Sequence, residues 1–271
     1  MNNFFKKWFS LTSGLIGLIF SLVPDELFPS LYSIENSALS LFISKLTILI
    51  ITWIVIGLIL VFFSKIKWWV TIKGNDYKIV VKYANIFTQK DCKKLIHFDE
   101  CFNTNLGDEI GDIRGSTVCG QYLTNNPSLD IIDLLNKNCI SPLDCKSNFK
   151  NKCCYKLGTI IPDDKDYLLM AFGKLNSNGR AELSKEEYIS CLNYMWENID
   201  KYYNDKNVAV TVLGSNITRI NGQILSQQEL LEIIISTYKL SDFKLGRNHK
   251  IIICLKKDKT NSDFSLDLIG R

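Results

Sequence analysis

The residues best suited to chemistry lie in a short loop that follows an apolar strand pattern in the carboxyl-terminal third of the chain. Val208–Leu213 is predicted to be a buried strand, and Gly214–Arg219 follows it directly. Glycine lets the backbone approach a ligand, and successive backbone N–H groups form a concavity that binds anions. Ser215 and Thr218 add hydroxyl donors, and the Arg219 guanidinium can grip a phosphate with two parallel hydrogen bonds. Taken alone, such a loop is more often an ordinary turn than a phosphate site.

A second donor-rich loop, Gly115–Gln121, has the sequence GSTVCGQ and precedes a helix predicted to begin at Asn126. Like the first loop, it contains glycine residues and hydroxyl side chains. Two donor-rich loops at neighbouring strand ends suit a diphosphate, so together they indicate a nucleotide site.

Side chains that could perform acid–base chemistry are few. His97 falls within a predicted strand, where we expect a structural role, and His249 is expected at the solvated edge of the last strand. The acidic pair Asp99–Glu100 has two possible roles, as a general base or as hydrogen-bond acceptors for ribose hydroxyls and loop amides. The sequence lacks an evident pair of nucleophile and base, as well as Walker and GxGxxG motifs, so no catalytic residue is assigned.

The nine cysteines are irregularly spaced and form no CxxC pair. A zinc site built from Cys139, Cys145, Cys153 and Cys154 is conceivable, but the only two histidines lie far away in sequence. We therefore predict no metal and no cofactor. Disulfides are not expected either, because the topology argued below places this part of the chain in the cytoplasm.

Alternating strands and helices must position these loops. The apolar patterns give the element order β-α-β-α-β-β-α-β-α-β, with helices that begin at the capping boxes Ser184–Glu187 and Ser226–Glu229. Predicted strands include Tyr77–Asn85, Leu95–Phe98 and Cys153–Ile161. The fold class is therefore α/β, with a mixed, mostly parallel sheet and helices on both faces.

Ligands of such sheets bind beyond the carboxyl ends of the strands. This rule selects three loops: the one after Asn85, the long segment Asp99–Asn125 and the segment Gly214–Gly222.

The amino-terminal part of the chain has a different character. Leu41–Phe63 is 23 residues long and carries no charge after Lys45. At about 1.5 Å per residue a helix of this length reaches roughly 34 Å, enough to cross a bilayer core of about 30 Å. The alternative is a buried helix of a soluble domain, which such a long uncharged run disfavours.

An earlier apolar run, Trp8–Val23, follows Lys6 and Lys7 and resembles a signal peptide. No small-residue cleavage site precedes Pro24, and a second span follows, so we predict a membrane helix instead. Residues 1–70 are thus predicted to form a transmembrane hairpin, with helices at about 8–24 and 41–63.

The lysines set the expected orientation of this hairpin. Lys6 and Lys7 flank one end and Lys65 and Lys67 the other, whereas the connection Pro24–Ser40 has no lysine or arginine. The positive-inside rule then places both termini in the cytoplasm, in an inner or plasma membrane that the chain crosses twice. Trp68 and Trp69 are expected at the inner membrane interface.

The remaining sequence is predicted to form one soluble domain, residues 75–257, and a polar tail, residues 258–271. The net charge of +4 is mild, and no basic block with interleaved aromatic residues occurs. We therefore expect no nucleic-acid partner.

Four segments in this order resemble a macro domain: YANIF, IHFDECFNT, GSTVCGQYL and VTVLGSNITRING. The resemblance covers roughly residues 75–257 and is strongest to the macro domains of Thoeris anti-phage effectors. The predicted hairpin is similar to that of the membrane-anchored members of that group.

Macro domains bind ADP-ribose and its derivatives, so the resemblance implies a role for each matching position. Asn85 and Ile86 would meet the adenine, and Asp99, Glu100 and Asn103 would line the distal ribose side. Phosphate would be held on one side by Ser116, Thr117, Val118, Gly120 and Gln121, and on the other by Gly214, Ser215, Asn216, Ile217, Thr218 and Arg219.

Two departures from the family pattern favour a sensor over an enzyme. Asn85 replaces the usual adenine-binding aspartate, and GSTVCG replaces a triple-glycine loop. The resemblance then implies a membrane-anchored anti-phage effector that binds an ADP-ribose conjugate made by a TIR enzyme. Its homo-oligomers would disrupt the lipid bilayer and cause abortive infection. The alternatives are a membrane-tethered ADP-ribosyl hydrolase and an anchor or scaffold with a vestigial pocket.

Overall fold

The structure is a computed structural model that describes residues 10, 12–14, 17, 37–65, 69–215 and 218–256 of the 271-residue chain. The chain divides into two compact units, Met1–Lys67 and Trp68–Arg271. The predicted tail at 258–271 and most of the predicted first helix at about 8–24 lie outside the described residues.

The first unit contains helix α1, Ser37–Lys65, which includes the predicted helix at 41–63. Within it, Ala38–Ile59 has a mean hydropathy of 2.4, and only 6% of its apolar window is buried. Leu58, for example, is 65% exposed. In the part of the chain that the structure describes, this is the one helix long and apolar enough to cross a membrane.

The second unit is built on a sheet of seven strands. Mixed β-branched and aliphatic residues form the strands β1 Trp69–Lys73, β2 Lys78–Tyr83, β3 Cys92–Phe98, β4 Ile160–Pro162, β5 Tyr167–Ala171, β7 Asn207–Thr211 and β9 Ile251–Leu255. A separate two-stranded sheet pairs β6, Glu182–Leu183, with β8, Arg219–Ile220.

The large sheet has the order β1-β2-β9-β7-β3-β5-β4. Its five central strands are parallel, and β1 and β4 are antiparallel edge strands. The predicted mixed, mostly parallel sheet is therefore confirmed. Because the central strands run in one direction, the segments that follow β2, β9, β7, β3 and β5 all leave the sheet where these strands end. This end of the sheet is called the carboxyl edge.

Four helices cover the two faces of this sheet: α2 Val118–Asn125, α3 Ile131–Lys137, α4 Lys185–Tyr202 and α5 Gln227–Leu240. On one face α4 and α5 bury residues such as Trp196 and Ile234 against Val210. On the other face α2 and α3 pack Tyr122 and Leu134 against alternate residues of β3 and β5. Both α4 and α5 begin at the predicted capping boxes.

Two local predictions are wrong. A helix was expected to begin at Asn126, but that residue ends α2, which lies inside the segment predicted as a loop. The next helix begins at Ile131, because the Asp130 carboxylate accepts hydrogen bonds from the N–H groups of Ile132 and Asp133, both at 3.0 Å. The predicted start rested on Asn126 as the cap and Pro127 as the first helical residue, but the Asn126 side chain instead donates to the Tyr122 carbonyl at 2.8 Å.

The predicted strand Cys153–Ile161 is reduced to β4, Ile160–Pro162. Cys153 instead lies opposite Lys146 in an antiparallel bridge of a local hairpin. The structure also adds strand β1: Trp69, predicted at a membrane interface, pairs with Lys82 of β2 and remains 64% exposed.

Candidate functional site

The predicted site residues follow three of the five parallel strands, at the edge where the carboxyl ends of those strands meet. Asn85 and Ile86 follow β2, Asp99–Asn103 follows β3, and Gly214–Thr218 follows β7. Strands β2 and β7 flank β9, and β3 lies beside β7. The fold thus gathers the three selected segments along one edge, as the parallel-sheet argument predicts.

Asn85 begins a single turn of 3-10 helix, Ile86–Thr88. Its Oδ1 accepts a hydrogen bond from the Phe87 N–H at 3.0 Å, and the residue is exposed. Ile86 is only 2% exposed and packs against Ala209, Ile252 and Cys254. The Ile86 side chain is therefore part of the core, and a ligand at this turn would meet its backbone.

The second donor-rich loop is the amino terminus of a helix, which sequence reasoning missed. Thr117 caps α2: its Oγ1 accepts from the Gly120 N–H at 3.0 Å and donates to the Arg114 carbonyl at 2.8 Å. The Nε2 of Gln121 donates to the Ser116 carbonyl at 3.2 Å. The first amides of a helix have no intrahelical acceptor, and the helix dipole favours an anion there.

Gly120 is required by close packing between this loop and α2. A Cβ at this position would lie 2.2 Å from the Arg114 carbonyl oxygen and 2.7 Å from the Gly115 Cα. Both atoms belong to the backbone, which cannot move aside as a flexible side chain could. Gly120 thus holds the donor loop against the first turn of the helix.

Val118 connects the two segments that sequence reasoning placed around one nucleotide. It packs, together with Ala84 and Phe87, against the small core cluster that contains Ile86 and Ala209. The start of α2 and the turn after β2 therefore share one apolar contact surface. Residues predicted on the adenine side and on the phosphate side are neighbours in the folded chain.

The acidic residues after β3 are held by the protein itself. Oδ1 of Asp99 accepts from the N–H groups of Cys101 at 2.9 Å and Asn103 at 3.0 Å. Burial raises the pKa of Asp99, and these two backbone hydrogen bonds oppose the rise. Its carboxylate mainly shapes the turn that follows the strand.

Glu100 is 5% exposed, and its Oε1 accepts from the Ser147 hydroxyl at 2.5 Å and from the Leu175 N–H at 3.1 Å. Asn103 donates from Nδ2 to the Gly111 carbonyl at 2.9 Å. These contacts show that both side chains tie together the loops around the expected distal ribose position.

The loop after β7 is described except for Asn216 and Ile217, which lie outside the described residues. Gly214 has φ +84°, a left-handed conformation that favours glycine, and Ser215 donates its hydroxyl to the Val212 carbonyl at 3.0 Å. Thr218 is buried, at 6% exposure. Arg219, predicted as a loop residue, is the exposed first residue of β8 and pairs with Glu182 of β6.

Thr211 is a candidate that sequence reasoning missed. It is the last residue of β7 and lies opposite Cys254 of β9, so its side chain shares the sheet face of Ala209 and Cys254. Its Oγ1 is buried and has no hydrogen-bond partner among the described residues. A buried unpaired hydroxyl is costly, so it marks a place where a ligand or water would bind. The sequence signal is a single threonine within the apolar run Val208–Leu213.

His97 lies in β3, as predicted, and its ring meets Phe172 edge-on with 5.8 Å between centroids. Burial lowers the pKa of His97 to about 4, and its Nδ1 is buried without a partner among the described residues. The imidazole is therefore neutral at physiological pH.

An open pocket of about 340 Å³ lies beside the β6–β8 pair and the start of α4, and polar side chains dominate its lining: Lys174, Asn176, Glu182, Ser184, Glu187 and Asn221. The predicted site residues that the structure describes do not line it. A Lys174–Glu187 ion pair at 3.2 Å crosses this lining. The lining also includes Asn221 and Gly222, which end the predicted segment Gly214–Gly222.

The part of the chain that contains this edge of the sheet matches a known protein family. Residues 79–256 match the family model described as "Thoeris protein ThsA, Macro domain". The chain belongs to the Thoeris ThsA macro-domain family. A curated relative, the Thoeris protein ThsA of Bacillus amyloliquefaciens (strain Y2), is 31% identical over 242 residues, which are 82% of this chain and 80% of that protein.

This membership confirms the resemblance seen in the four sequence segments and the macro-like α/β fold. It places the chain among the proteins of Thoeris anti-phage defence. The matched region of the ThsA macro family begins inside β2 and ends after β9, so it contains all three segments at the carboxyl edge of the sheet.

Proposed function

We propose that the second unit binds an ADP-ribose derivative at the carboxyl edge of its sheet. The observation that carries the proposal is the shared packing of Val118 and the Ile86 turn, which brings the expected adenine and phosphate segments together. The unpaired Thr211 hydroxyl on the same sheet face adds a buried donor beneath this site. The family match is consistent with such a ligand.

In this proposal the diphosphate lies between two sources of donors. One is the first turn of α2, where the helix dipole favours negative charge. The other is the Gly214–Ser215 backbone, followed by the exposed Arg219 guanidinium. These donors would hold the negative charge of the diphosphate.

The proposed role is sensing and not turnover. The Asp99 carboxylate already accepts two backbone hydrogen bonds, and the Glu100 carboxylate accepts two donors while buried. A general base must reach a substrate proton, and these carboxylates are directed to the protein instead. The bonding of Asp99 and Glu100 therefore does not suit either carboxylate to the role of general base in a hydrolase.

The proposed place of action is a membrane, with α1 as one of two spanning helices and both termini in the cytoplasm. The apolar length of α1 supports one membrane span. The second span and the position of the termini rest on the apolar run Trp8–Val23 and on the lysine pattern of the sequence. Two hydroxyl groups of α1 are also suited to lipid, since Thr47 donates to the Ile43 carbonyl at 2.9 Å and Thr52 to the Ile48 carbonyl at 2.7 Å. Hydroxyl groups satisfied within their own helix can face hydrocarbon at low cost.

Titration calorimetry of the full chain in detergent against ADP-ribose, ADP and a panel of ADP-ribose conjugates tests the ligand. We expect ADP-ribose conjugates to bind more tightly than ADP, with each ligand recovered unchanged afterwards. Absence of binding to every nucleotide would favour a scaffold. Release of free ADP-ribose from a conjugate or from ADP-ribosylated protein would favour the tethered hydrolase.

A further inference from the structure

A small hairpin beside the Glu100 segment brings two cysteines face to face. Lys146 lies opposite Cys153 in an antiparallel bridge, and the Ser147 N–H donates to the Lys152 carbonyl at 2.9 Å. One step outward in the same register, Cys145 lies opposite Cys154. Residues directly opposite each other in an antiparallel pair have Cβ atoms about 4.5–5.5 Å apart, close to the spacing within a disulfide.

The two thiols are already in contact. Their Sγ atoms are 3.7 Å apart, and the Cys154 thiol also donates to the Cys145 carbonyl at 3.2 Å. Cys145 is exposed, whereas Cys154 is 2% exposed and both are reduced. Among the described residues, no group of three His, Cys, Asp or Glu side chains is arranged to hold a metal ion.

We propose that Cys145 and Cys154 are a peroxide-sensitive dithiol, and that their oxidation to a disulfide cross-links the two arms of this hairpin. The exposed Cys145 sulfur attacks hydrogen peroxide, the O–O bond breaks, a sulfenic acid forms and one water leaves. The Cys154 sulfur then attacks the Cys145 sulfur, the S–O bond breaks and a second water leaves. Two thiols together lose two electrons and two protons, and one peroxide becomes two waters.

The environments of the two cysteines fit these two roles. Cys145 can reach a dissolved oxidant because it is exposed. Burial, followed by the hydrogen bond with Cys145, raises the pKa of Cys154 to about 12, so this thiol is protonated and protected from direct oxidation by peroxide. An accessible attacking thiol beside a protected partner is the arrangement expected of a reversible pair.

The hairpin connects this pair to the proposed site. The Ser147 hydroxyl donates to Glu100 at 2.5 Å, and the Lys152 ammonium donates to the Asn103 side-chain oxygen at 3.4 Å. A covalent link across the hairpin would hold both donors in place. Formation of the disulfide does not depend on the proposed function. Only an effect of the disulfide on nucleotide binding, through Glu100 and Asn103, rests on that function.

Peptide mapping of the full chain tests the proposal. Trypsin cuts after Lys146, Lys150 and Lys152, so Cys145 and Cys154 fall in separate peptides, residues 138–146 and 153–156. After treatment with hydrogen peroxide and digestion without reductant, we expect these two peptides to be joined with the loss of two hydrogen atoms. Dithiothreitol should separate them.

Each peptide contains a second cysteine, which provides matched controls. Cys139→Ser and Cys153→Ser should keep the linked species, whereas Cys145→Ser and Cys154→Ser should abolish it. Hydrogen exchange gives an independent readout, because the Ser147 amide should exchange more slowly in the oxidised chain. No linked peptide after peroxide treatment, or a link that survives in Cys145→Ser, would overturn the proposal. Because the mapping uses no nucleotide, its failure would leave the proposed binding function untouched.

Discussion

Side chains near the carboxyl edge of the sheet differ in how much of their bonding capacity the protein already uses. Thr117 donates and accepts within the α2 cap, and Glu100 accepts from two loops. Thr211 has a buried hydroxyl without a partner among the described residues, and Arg219 is exposed beside the donor loop. Removal of the Thr211 hydroxyl or the Arg219 guanidinium should therefore weaken ligand binding more than it lowers the stability of the fold.

Arg219→Ala is therefore expected to weaken binding of an ADP-ribose conjugate without unfolding the domain. Loss of a charge-assisted hydrogen bond costs about 1.5–3 kcal/mol, which corresponds to a fall in affinity of about tenfold or more. Calorimetry measures this change. Arg247→Ala is the matched control. Arg247 is exposed and lies just before β9, at the amino ends of the parallel strands. Equal affinities for the two variants would exclude Arg219 from the site.

Burial of the His97 imidazole should make the stability of the fold depend on pH. In the folded chain its pKa is lowered from 6.5 to about 4 by burial, so the unfolded chain binds more protons between these values. The free energy of unfolding should therefore fall as the pH decreases from about 6.5 towards 4, by up to about 3 kcal/mol.

Urea unfolding followed by fluorescence at a series of pH values measures this slope. His97→Phe keeps a ring against Phe172 and removes the titrating group, so its slope in this range should be shallower. Above about pH 7.5, where histidine is neutral in both states, the two proteins should show the same pH dependence. Identical slopes between pH 4 and 6.5 would contradict burial of a neutral imidazole.

At the scale of elements, the Arg114–Gly115 segment can pack closely against α2 because Gly120 has no Cβ. Gly120→Ala would force its methyl group against the Arg114 carbonyl, and overpacking of this kind costs about 1–3 kcal/mol. The expected result is a lower free energy of unfolding together with weaker nucleotide binding. Gly115→Ala is the control, since a Cβ at Gly115 meets nothing within 4 Å and should change stability by less than about 0.5 kcal/mol.

The start of α5 gives a second prediction for an element. The Ser226 hydroxyl accepts from the Glu229 N–H at 3.2 Å and donates to the Glu229 carboxylate at 2.7 Å. Ser226→Ala should lower the free energy of unfolding by about 1 kcal/mol, because an orphan amide of the first turn loses its acceptor. The exposed Ser141 serves as control, and Ser141→Ala should have little effect in the same denaturant titration.

At the scale of the whole molecule, the proposal joins a nucleotide site in one unit to an apolar helix in the other. A two-helix hairpin has too little surface to enclose a water path, so several copies would have to gather. A ligand can drive that assembly only by binding the assembled state more tightly than the monomer. Small and hydroxylated residues such as Thr47, Thr52 and Gly57 are of the kind that lets membrane helices pack closely.

We therefore expect a saturating ADP-ribose conjugate to enlarge the detergent-solubilised complex in light scattering. Cells that make the protein should lose membrane integrity only when the signal is present. Arg219→Ala should need a higher ligand concentration for both effects. Unchanged complex size together with intact membranes at saturation would exclude this mechanism and favour a passive binder.

Sequence periodicity and capping determined most of the architecture. The mostly parallel sheet and the capped starts of α4 and α5 were predicted correctly, because the alternation of strand and helix patterns and the capping boxes are local features of the sequence. The family was also recognisable from four short segments. The roles of the predicted site residues, the first membrane helix and the membrane topology stay predictions.

The tertiary structure decided which polar groups are already occupied and which segments meet. Nothing local distinguishes Glu100, buried against Ser147 and Leu175, from an accessible carboxylate. The contact of Val118 with the Ile86 cluster and the pairing of Cys145 with Cys154 likewise join residues from separate segments. Composition and spacing report which groups a chain carries, whereas burial and hydrogen-bond partners arise only when distant segments pack together.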